Sequence, residues 1–288
     1  MECFAVFLSS LVLASALVHQ TATVPAPATE AGWKLVWADE FDVDGPPDPA
    51  KWNFERGFER NEEHQWYQPE NARVEKGLLI IEGRRETKPN PTYREGATDW
   101  RRSRKDITYT SASLTTRGKQ SWTFGRFEMR GKIDTRPGLW PAFWTVGLRG
   151  PWPAGGEIDI MEYYRGILLA NVAWASDRPN RPVWRDPKLP LADLGGDAWS
   201  SQFHTWRMDW DAEAIRLYVD DRLLNETLLK ETVNRDGTGR NPFLQPHILI
   251  LNQAIGGANG GDPSKTEFPA RFEVDYVRVY QQQAAPQP

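Results

Sequence analysis

The chain has 288 residues, 35 Lys and Arg against 39 Asp and Glu, and one cysteine. A net charge of −4 points to no nucleic-acid partner, and a single thiol, Cys3, excludes both an internal disulfide and a cysteine-based metal cluster. The length admits one large all-β domain or two ordinary ones.

Residues 1–29 read as a secretory leader and spacer. An apolar run over 4–18 contains Ala14-Ser15-Ala16 and is followed by Val24-Pro25-Ala26-Pro27-Ala28, although Met1-Glu2-Cys3 lacks the usual positive charge. An apolar stretch of about 15 residues is short of the roughly 20 that cross a bilayer. The expectation is therefore export, to the extracellular space or the periplasm, with no membrane span. Removing this segment would remove Cys3 and the charge of Glu2, leaving a net charge of −3 (−4 less the −1 of Glu2). All fourteen tryptophans lie after residue 30, against eight tyrosines in the whole chain. Indoles are broad apolar platforms with one N–H at the edge, which suits stacking on sugar rings as well as filling a core.

From Trp33 onward, short β-like runs alternate with turn residues. Lys34-Leu35-Val36-Trp37 precedes the breaker run Gly45-Pro46-Pro47-Asp48-Pro49. Ala72-Arg73-Val74-Glu75, Lys76-Gly77 and Leu78-Leu79-Ile80-Ile81-Glu82 predict a hairpin. Residues 84–106, rich in Arg and Lys with few aliphatics, predict a long surface loop. Strands are predicted over 111–116, 124–133 and 139–146, and a hairpin turns at Asp220-Asp221. Residues 225–230 are the main helix candidate, and further strands run over 248–253 and 272–280, before a frayed tail at 283–288. Many short strands with Gly and Pro turns and no βαβ rhythm argue for an antiparallel sandwich or barrel, counted as one domain over residues 30–282.

The most informative run is Gly156-Glu157-Ile158-Asp159-Ile160-Met161-Glu162-Tyr163. On a strand, Glu157 and Asp159 share one face and Ile158 and Ile160 the other. Strict alternation would bury Glu162 on the isoleucine face, at a cost of several kcal/mol for an unpaired carboxylate. A one-residue bulge at about Met161 returns it to the side of the other two acids. Crowded carboxylates cannot all ionise near neutral pH, and the one that keeps its proton can act as a general acid while another attacks. A solvated acidic edge or a calcium site is the competing reading of these residues alone. Histidines 64, 204 and 247 are scattered, with no ligand spacing between them, so a catalytic metal is not expected.

Several separated blocks resemble glycoside hydrolase family 16, the clan of β-1,3(4)-glucanases, laminarinases, agarases and carrageenases. They are Gly125-Arg126-Phe127 with Leu139-Trp140-Pro141-Ala142-Phe143-Trp144, Gly155-Gly156-Glu157-Ile158-Asp159-Ile160-Met161-Glu162, and Val274-Asp275-Tyr276-Val277-Arg278-Val279-Tyr280, supported by Phe203-His204-Thr205-Trp206 and Leu251-Asn252-Gln253-Ala254-Ile255-Gly256-Gly257. The resemblance implies an all-β jelly-roll sandwich of two antiparallel sheets with a concave substrate cleft, and a secreted retaining endo-glycosidase acting on β-1,3 or mixed β-1,3/1,4-glucan as a monomer. A galactan hydrolase or transglycosylase of the same family is an alternative, and a non-catalytic glycan-binding protein is one of another class. By the same resemblance Glu157 is the nucleophile, Glu162 the general acid/base, and Asp159 the residue that tunes the nucleophile. Trp140, Trp144, Asn61, Trp66, Trp174 and Asn252 would contact sugar. No cofactor is implied for catalysis. A structural calcium would take backbone carbonyls of Glu40 and Gly77 and the Asp275 carboxylate. The segment Asn171-Val172-Ala173-Trp174-Ala175 departs from the His-Tyr-containing segment of many laminarinases, which bears on glucan specificity. If the arginines of 84–106 face the cleft, a sulfated or uronate-bearing polymer is favoured instead.

Overall fold

The computed structural model describes residues 32–283, so the expected leader and the tail beyond residue 283 lie outside the described residues. Two large sheets stack face to face. In one, the strand order is Pro182–Arg185, Ile167–Ala175, Glu157–Tyr164, Leu139–Gly147, His247–Ile255, Ser113–Thr115, Asn53–Phe54, with Lys188–Pro190 also paired to Ile167–Ala175. In the other it is Arg222–Leu228, Ala214–Val219, His204–Trp210, Gly125–Lys132, Ala270–Gln282, Leu78–Pro89, Asp106–Ser111, Gln65–Tyr67. Trp33–Asp39 and Ala72–Glu75 are added at the sides. All pairings are antiparallel except Gln65–Tyr67 with Asp106–Ser111, which is parallel.

The second sheet follows the period-two rule: Gly125–Lys132 and His204–Trp210 alternate buried and half-buried residues without a break. Phe127, Met129, Trp206, Met208 and Trp210 point inward, and Arg126, Arg130 and Arg207 outward. Facing them are Phe143, Ile158, Ile160, Met161, Leu168 and Val172 of the first sheet, all part of one apolar layer. Leu139–Gly147, Ile167–Ala175 and His247–Ile255 are buried on both faces over most of their length, because their outer side is the floor of a cleft rather than open surface. The hairpin at Lys76-Gly77 forms as expected. Both residues are left-handed (φ 55° and 78°), the two-residue turn whose twist matches that of its strands.

Three expected elements differ. The strand that begins at Leu78 continues to Pro89 and pairs with Asp106–Ser111, so only 90–105 leaves the sheet, and Trp100–Ser103 within it forms a short helix capped by Asp99. Residues 84–89 lack apolar alternation, and Arg84 and Lys88 instead pair along the same face of their own strand with Glu82 and Glu86, each two residues back. The helix expected at 225–230 is instead the end of the Arg222–Leu228 strand and a 3-10 turn over Leu229–Glu231. Asn225 is buried there and donates to the Ala170 and Arg185 carbonyls, and Thr227 donates to Asn225. This buried polar ladder overrides the helical propensity of Glu, Leu and Lys. Finally, 111–116 is two strands in different sheets, broken at Ala112.

Trp174, expected to contact sugar, is 3% exposed and lies in the apolar layer between the sheets. Its strand places Leu168, Ala170, Val172 and Trp174 on the inner side and Leu169 and Asn171 on the cleft side. Trp174→Ala should therefore cost about 3–5 kcal/mol of stability, the price of emptying a large aromatic site. A denaturation midpoint equal to the wild type's would contradict the core placement.

Candidate active site

The cleft lies over the outer face of the first sheet and has a volume of about 950 Å³. Its floor is set by the register around Glu157–Tyr164. Against Leu139–Gly147, Asp159 pairs with Trp144, Met161 with Phe143 and Glu162 with Ala142. Against Ile167–Ala175, Asp159 pairs with Asn171 and Glu162 with Leu169. Three steps along the acidic strand therefore match two on each neighbour, which is a one-residue bulge at Ile160-Met161. Ile160 and Met161 both enter the apolar layer, and Glu162 emerges on the cleft side with Glu157 and Asp159.

Each acid has distinct partners. Glu157 Oε2 accepts from Trp152 Nε1 at 2.9 Å. Glu162 accepts from Trp140 Nε1 at 2.7 Å and from Asn171 Nδ2 at 2.9 Å. Asp159, 5% exposed, is hydrogen-bonded to both Glu157 and Asn171. Burial pushes all three above the ordinary carboxylate range: Glu157 to about 7, Glu162 to about 8, and Asp159 well up, with the neighbouring negative charges adding to the last two. Glu157 rises least because the Trp152 N–H, the Arg60 charge and the Asp159 hydrogen bond favour its ionised form. The three titrate as one coupled set, in which the Trp152 N–H and the Arg60 charge favour the ionised form at Glu157 while neighbouring negative charges favour the protonated forms of Asp159 and Glu162.

The flank beyond Trp144 is a second polar network. Trp144 Nε1 donates to Asn252 Oδ1 at 2.7 Å, Asn252 Nδ2 to the Tyr67 hydroxyl at 3.0 Å, and that hydroxyl to Glu63 Oε2 at 3.3 Å. Arg60 lies 5.1 Å from the Trp144 ring and pairs with Glu55, whose other oxygen accepts from Ser113 Oγ at 2.7 Å. Of the tryptophans that line the cleft, Trp140, Trp144 and Trp152 thus have their N–H committed to Glu162, Asn252 and Glu157 respectively.

Of the residues expected at the site, Glu157, Asp159, Glu162, Trp140, Trp144, Asn61 and Asn252 all line this cleft. Trp66 does not: it packs edge-on against Phe58 at 5.4 Å and over Gly57, behind the loop that carries Asn61. Lining residues not picked out from sequence include Arg60, Glu63, Trp152, Asn171 and Trp184. Asn171 had a usable signal, since it is the polar member of an apolar run and sits at the parity opposite Trp174. Arg60 had none, because the Trp144 ring it lies over is 84 residues away and its pairing with Glu55, five residues back, reads as an ordinary local ion pair.

The expected calcium set is on the other sheet. Its one carboxylate, Asp275, accepts from Arg130 Nη1 at 2.6 Å, and the Glu40 carboxylate is bridged by Arg278 through two bonds of 2.7 Å. The Arg130 guanidinium holds one oxygen of Asp275, the only side chain of the expected set, so a calcium ion on the Glu40 and Gly77 backbone carbonyls and Asp275 would compete with this ion pair. Among the described residues no three His, Cys, Asp or Glu side chains gather as a metal cluster.

Comparison with known proteins agrees with this geometry. The chain is 38% identical over 292 residues to a β-glucanase of Rhodothermus marinus, covering 95% of this chain and 93% of the relative. The laminarinase catalytic domain of Thermotoga maritima superposes with a TM-score of 0.72 at 33% identity, over 88% of this chain and 99% of that one. A structure from work on the endo-acting O-glycanases with which prominent members of the human gut microbiota initiate mucin breakdown superposes with a TM-score of 0.81 at 36% identity, over 90% and 94%. The family model for glycosyl hydrolases family 16 matches residues 64–278. With the two-sheet jelly roll and a relative this similar over nearly its whole length, the chain belongs to glycosyl hydrolases family 16.

Proposed function

We propose that the protein is a retaining endo-glycosidase that cleaves β-1,3 or mixed β-1,3/1,4-glucan. The observation that carries the reading is the return of Glu162, through the bulge, to the face that holds Glu157, with the two carboxyl groups pushed to about 8 and about 7. In the first step Glu157 attacks the anomeric carbon, the glycosidic bond breaks, and the leaving oxygen takes the Glu162 proton. In the second, water attacks that carbon, returns a proton to Glu162 and frees Glu157. Asp159, protonated against Glu157, supports the charge that Glu157 carries before attack and after release.

Endo action is supported by the shape of the cleft. It crosses the sheet from Trp184 on the Pro182–Arg185 strand to Glu55 beside Asn53–Phe54. Six strand spacings of about 4.8 Å make that path roughly 29 Å, several sugar rings long. The glucan assignment draws on the β-glucanase and laminarinase relatives. A second reading, an endo-acting hydrolase of galactose-containing glycans, is favoured by the O-glycanase superposition and by the departure of Asn171-Val172-Ala173-Trp174-Ala175 from the laminarinase pattern. Export and a monomeric state complete the proposal. No helix among the described residues is long and apolar enough to cross a membrane.

Incubation with laminarin, mixed-linkage glucan, agarose, carrageenan and mucin O-glycans separates the two readings. Oligosaccharides should accumulate from the first two, whereas release only from galactose-containing substrates would overturn the glucan assignment. Glu157→Gln should reduce turnover at least about 10⁴-fold while leaving oligosaccharide binding near wild type. Glu162→Ala should spare much more activity on aryl glycosides with good leaving groups than on polymer, since protonation matters less there. Equal losses on both would remove Glu162 from the acid role.

The raised carboxyls also make a stability prediction. A group whose pKa is higher folded than unfolded holds extra protons in the native state, so its contribution is complete below about pH 4.3 and is lost as pH rises through the folded value. For Glu162 that window ends near 8. Glu162→Gln should therefore raise stability, and with it Tm, relative to wild type by more at about pH 8.5 than at about pH 5, the difference in unfolding free energy being on the order of a few kcal/mol. A Tm gain that shrinks with rising pH would contradict the burial of an acid at this position.

A further inference from the structure

The arginine-rich segment is the most conspicuous feature of the sequence that the proposed chemistry does not use. Its arginines do not face the cleft. Arg101 donates to the Phe58 carbonyl at 3.0 Å and the Glu59 carbonyl at 2.5 Å. Arg104 donates to the Glu62 carbonyl at 2.7 Å and to the Glu63 carbonyl. The two carbonyls between them are also taken: that of Arg60 by the Glu63 amide at 3.1 Å, and that of Asn61 by the Ala258 amide at 2.8 Å. Every carbonyl from residue 58 to residue 63 thus has a donor, and two guanidinium forks supply four of the six.

That stretch needs holding. Asn61 and Glu62 are consecutive non-glycine residues in the left-handed region (φ 55° and 51°), a conformation that persists only where the surroundings over-determine it. The same stretch carries Arg60, Asn61 and Glu63 to the cleft wall beside Trp144. The brace is itself rigid. Asn90 Nδ2 donates to the Arg101 and Arg104 carbonyls at 2.9 and 2.7 Å, and Asp99 caps the short helix. The Arg104 guanidinium lies 4.7 Å from the Trp100 ring and 4.9 Å from that of Phe58.

We propose that Arg101 and Arg104 are positioning residues for substrate binding: they lock residues 58–63 in the strained conformation that presents Arg60 and Asn61 to a sugar on the Trp144 flank of the cleft, with buried Glu63 anchoring the stretch from behind. The inference rests on the glycosidase reading for what is bound, but not for the brace itself. A planar fork that reaches two carbonyls at once cannot be replaced by lysine, which brings the same charge as a single point. Arg101→Lys/Arg104→Lys therefore removes the geometry and keeps the charge, and it remains a usable test if the double alanine variant does not fold.

The test has two readouts on the Lys/Lys variant. On whichever polysaccharide the wild type cuts fastest, KM should rise about 10-fold with kcat changed less than about 2-fold, because binding on one flank is weakened and the reacting acids are untouched. Amide hydrogen exchange at residues 59–63 should accelerate at least about 10-fold, while the strands of the main core keep wild-type protection. Unchanged exchange at 59–63 overturns the brace, whatever the enzyme acts on. Accelerated exchange with unchanged KM, or a fall in kcat at constant KM, overturns its role in substrate binding. A wild type inert on every polymer tried would instead count against the glycosidase reading, and the exchange measurement would still decide the brace.

Discussion

Between Asp159 and Glu162 the acidic strand takes three steps while each neighbour takes two, and this single surplus residue decides in which layer a third carboxylate sits. Without it, Glu162 would enter the layer built from Ile158, Phe143, Met208 and Trp206, where an unpaired charge costs several kcal/mol. With it, the surplus is absorbed by Ile160 and Met161, both apolar and both buried, so the bulge is itself anchored by the core. The fold and the chemistry therefore depend on the same local irregularity. Neighbouring strands that pack regularly hold one that does not.

The electrostatics follow from placing acids on a floor with apolar walls. Burial raises all three, but their partners separate them: an indole N–H and a nearby guanidinium for Glu157, an indole and an amide for Glu162, and only an amide and a shared proton for Asp159. Asn171 joins Asp159 to Glu162, so the two halves of the site are linked through one side chain on the next strand. Spacing alone left open which glutamate attacks. The surroundings favour Glu157, because the Trp152 N–H and the Arg60 charge support the ionised form that attack requires, whereas the neighbouring acids Glu157 and Glu63 favour a proton on Glu162.

Much of this was legible in the chain. The bulge followed from burial cost, since a carboxylate does not belong on an isoleucine face, and the same-side placement of Trp140 and Trp144 followed from their spacing on one strand. What was not legible depended on contacts distant in sequence or on strand phase. Trp174 reads as another aromatic near the acids, yet its parity opposite Asn171 sends it into the core. Trp66 lies only five residues from Asn61, but two consecutive left-handed residues turn the chain between them, so one faces the cleft and the other backs it. The basic segment reads as solvated or substrate-facing because nothing local shows that its arginines have backbone carbonyls as partners. At 225–230 helical propensity was outvoted by the buried Asn225 and Thr227 ladder.

The central claim is that Glu157 and Glu162 act on one sugar from one floor, the first as nucleophile and the second as acid and base. Azide rescue of the two alanine variants on an activated glycoside tests it most directly. The account predicts that Glu162→Ala with azide gives the β-glycosyl azide, because azide intercepts a glycosyl intermediate still formed on Glu157, and that Glu157→Ala gives the α-glycosyl azide, because azide takes the place of the missing nucleophile. The reverse pairing of anomers and variants would contradict the account.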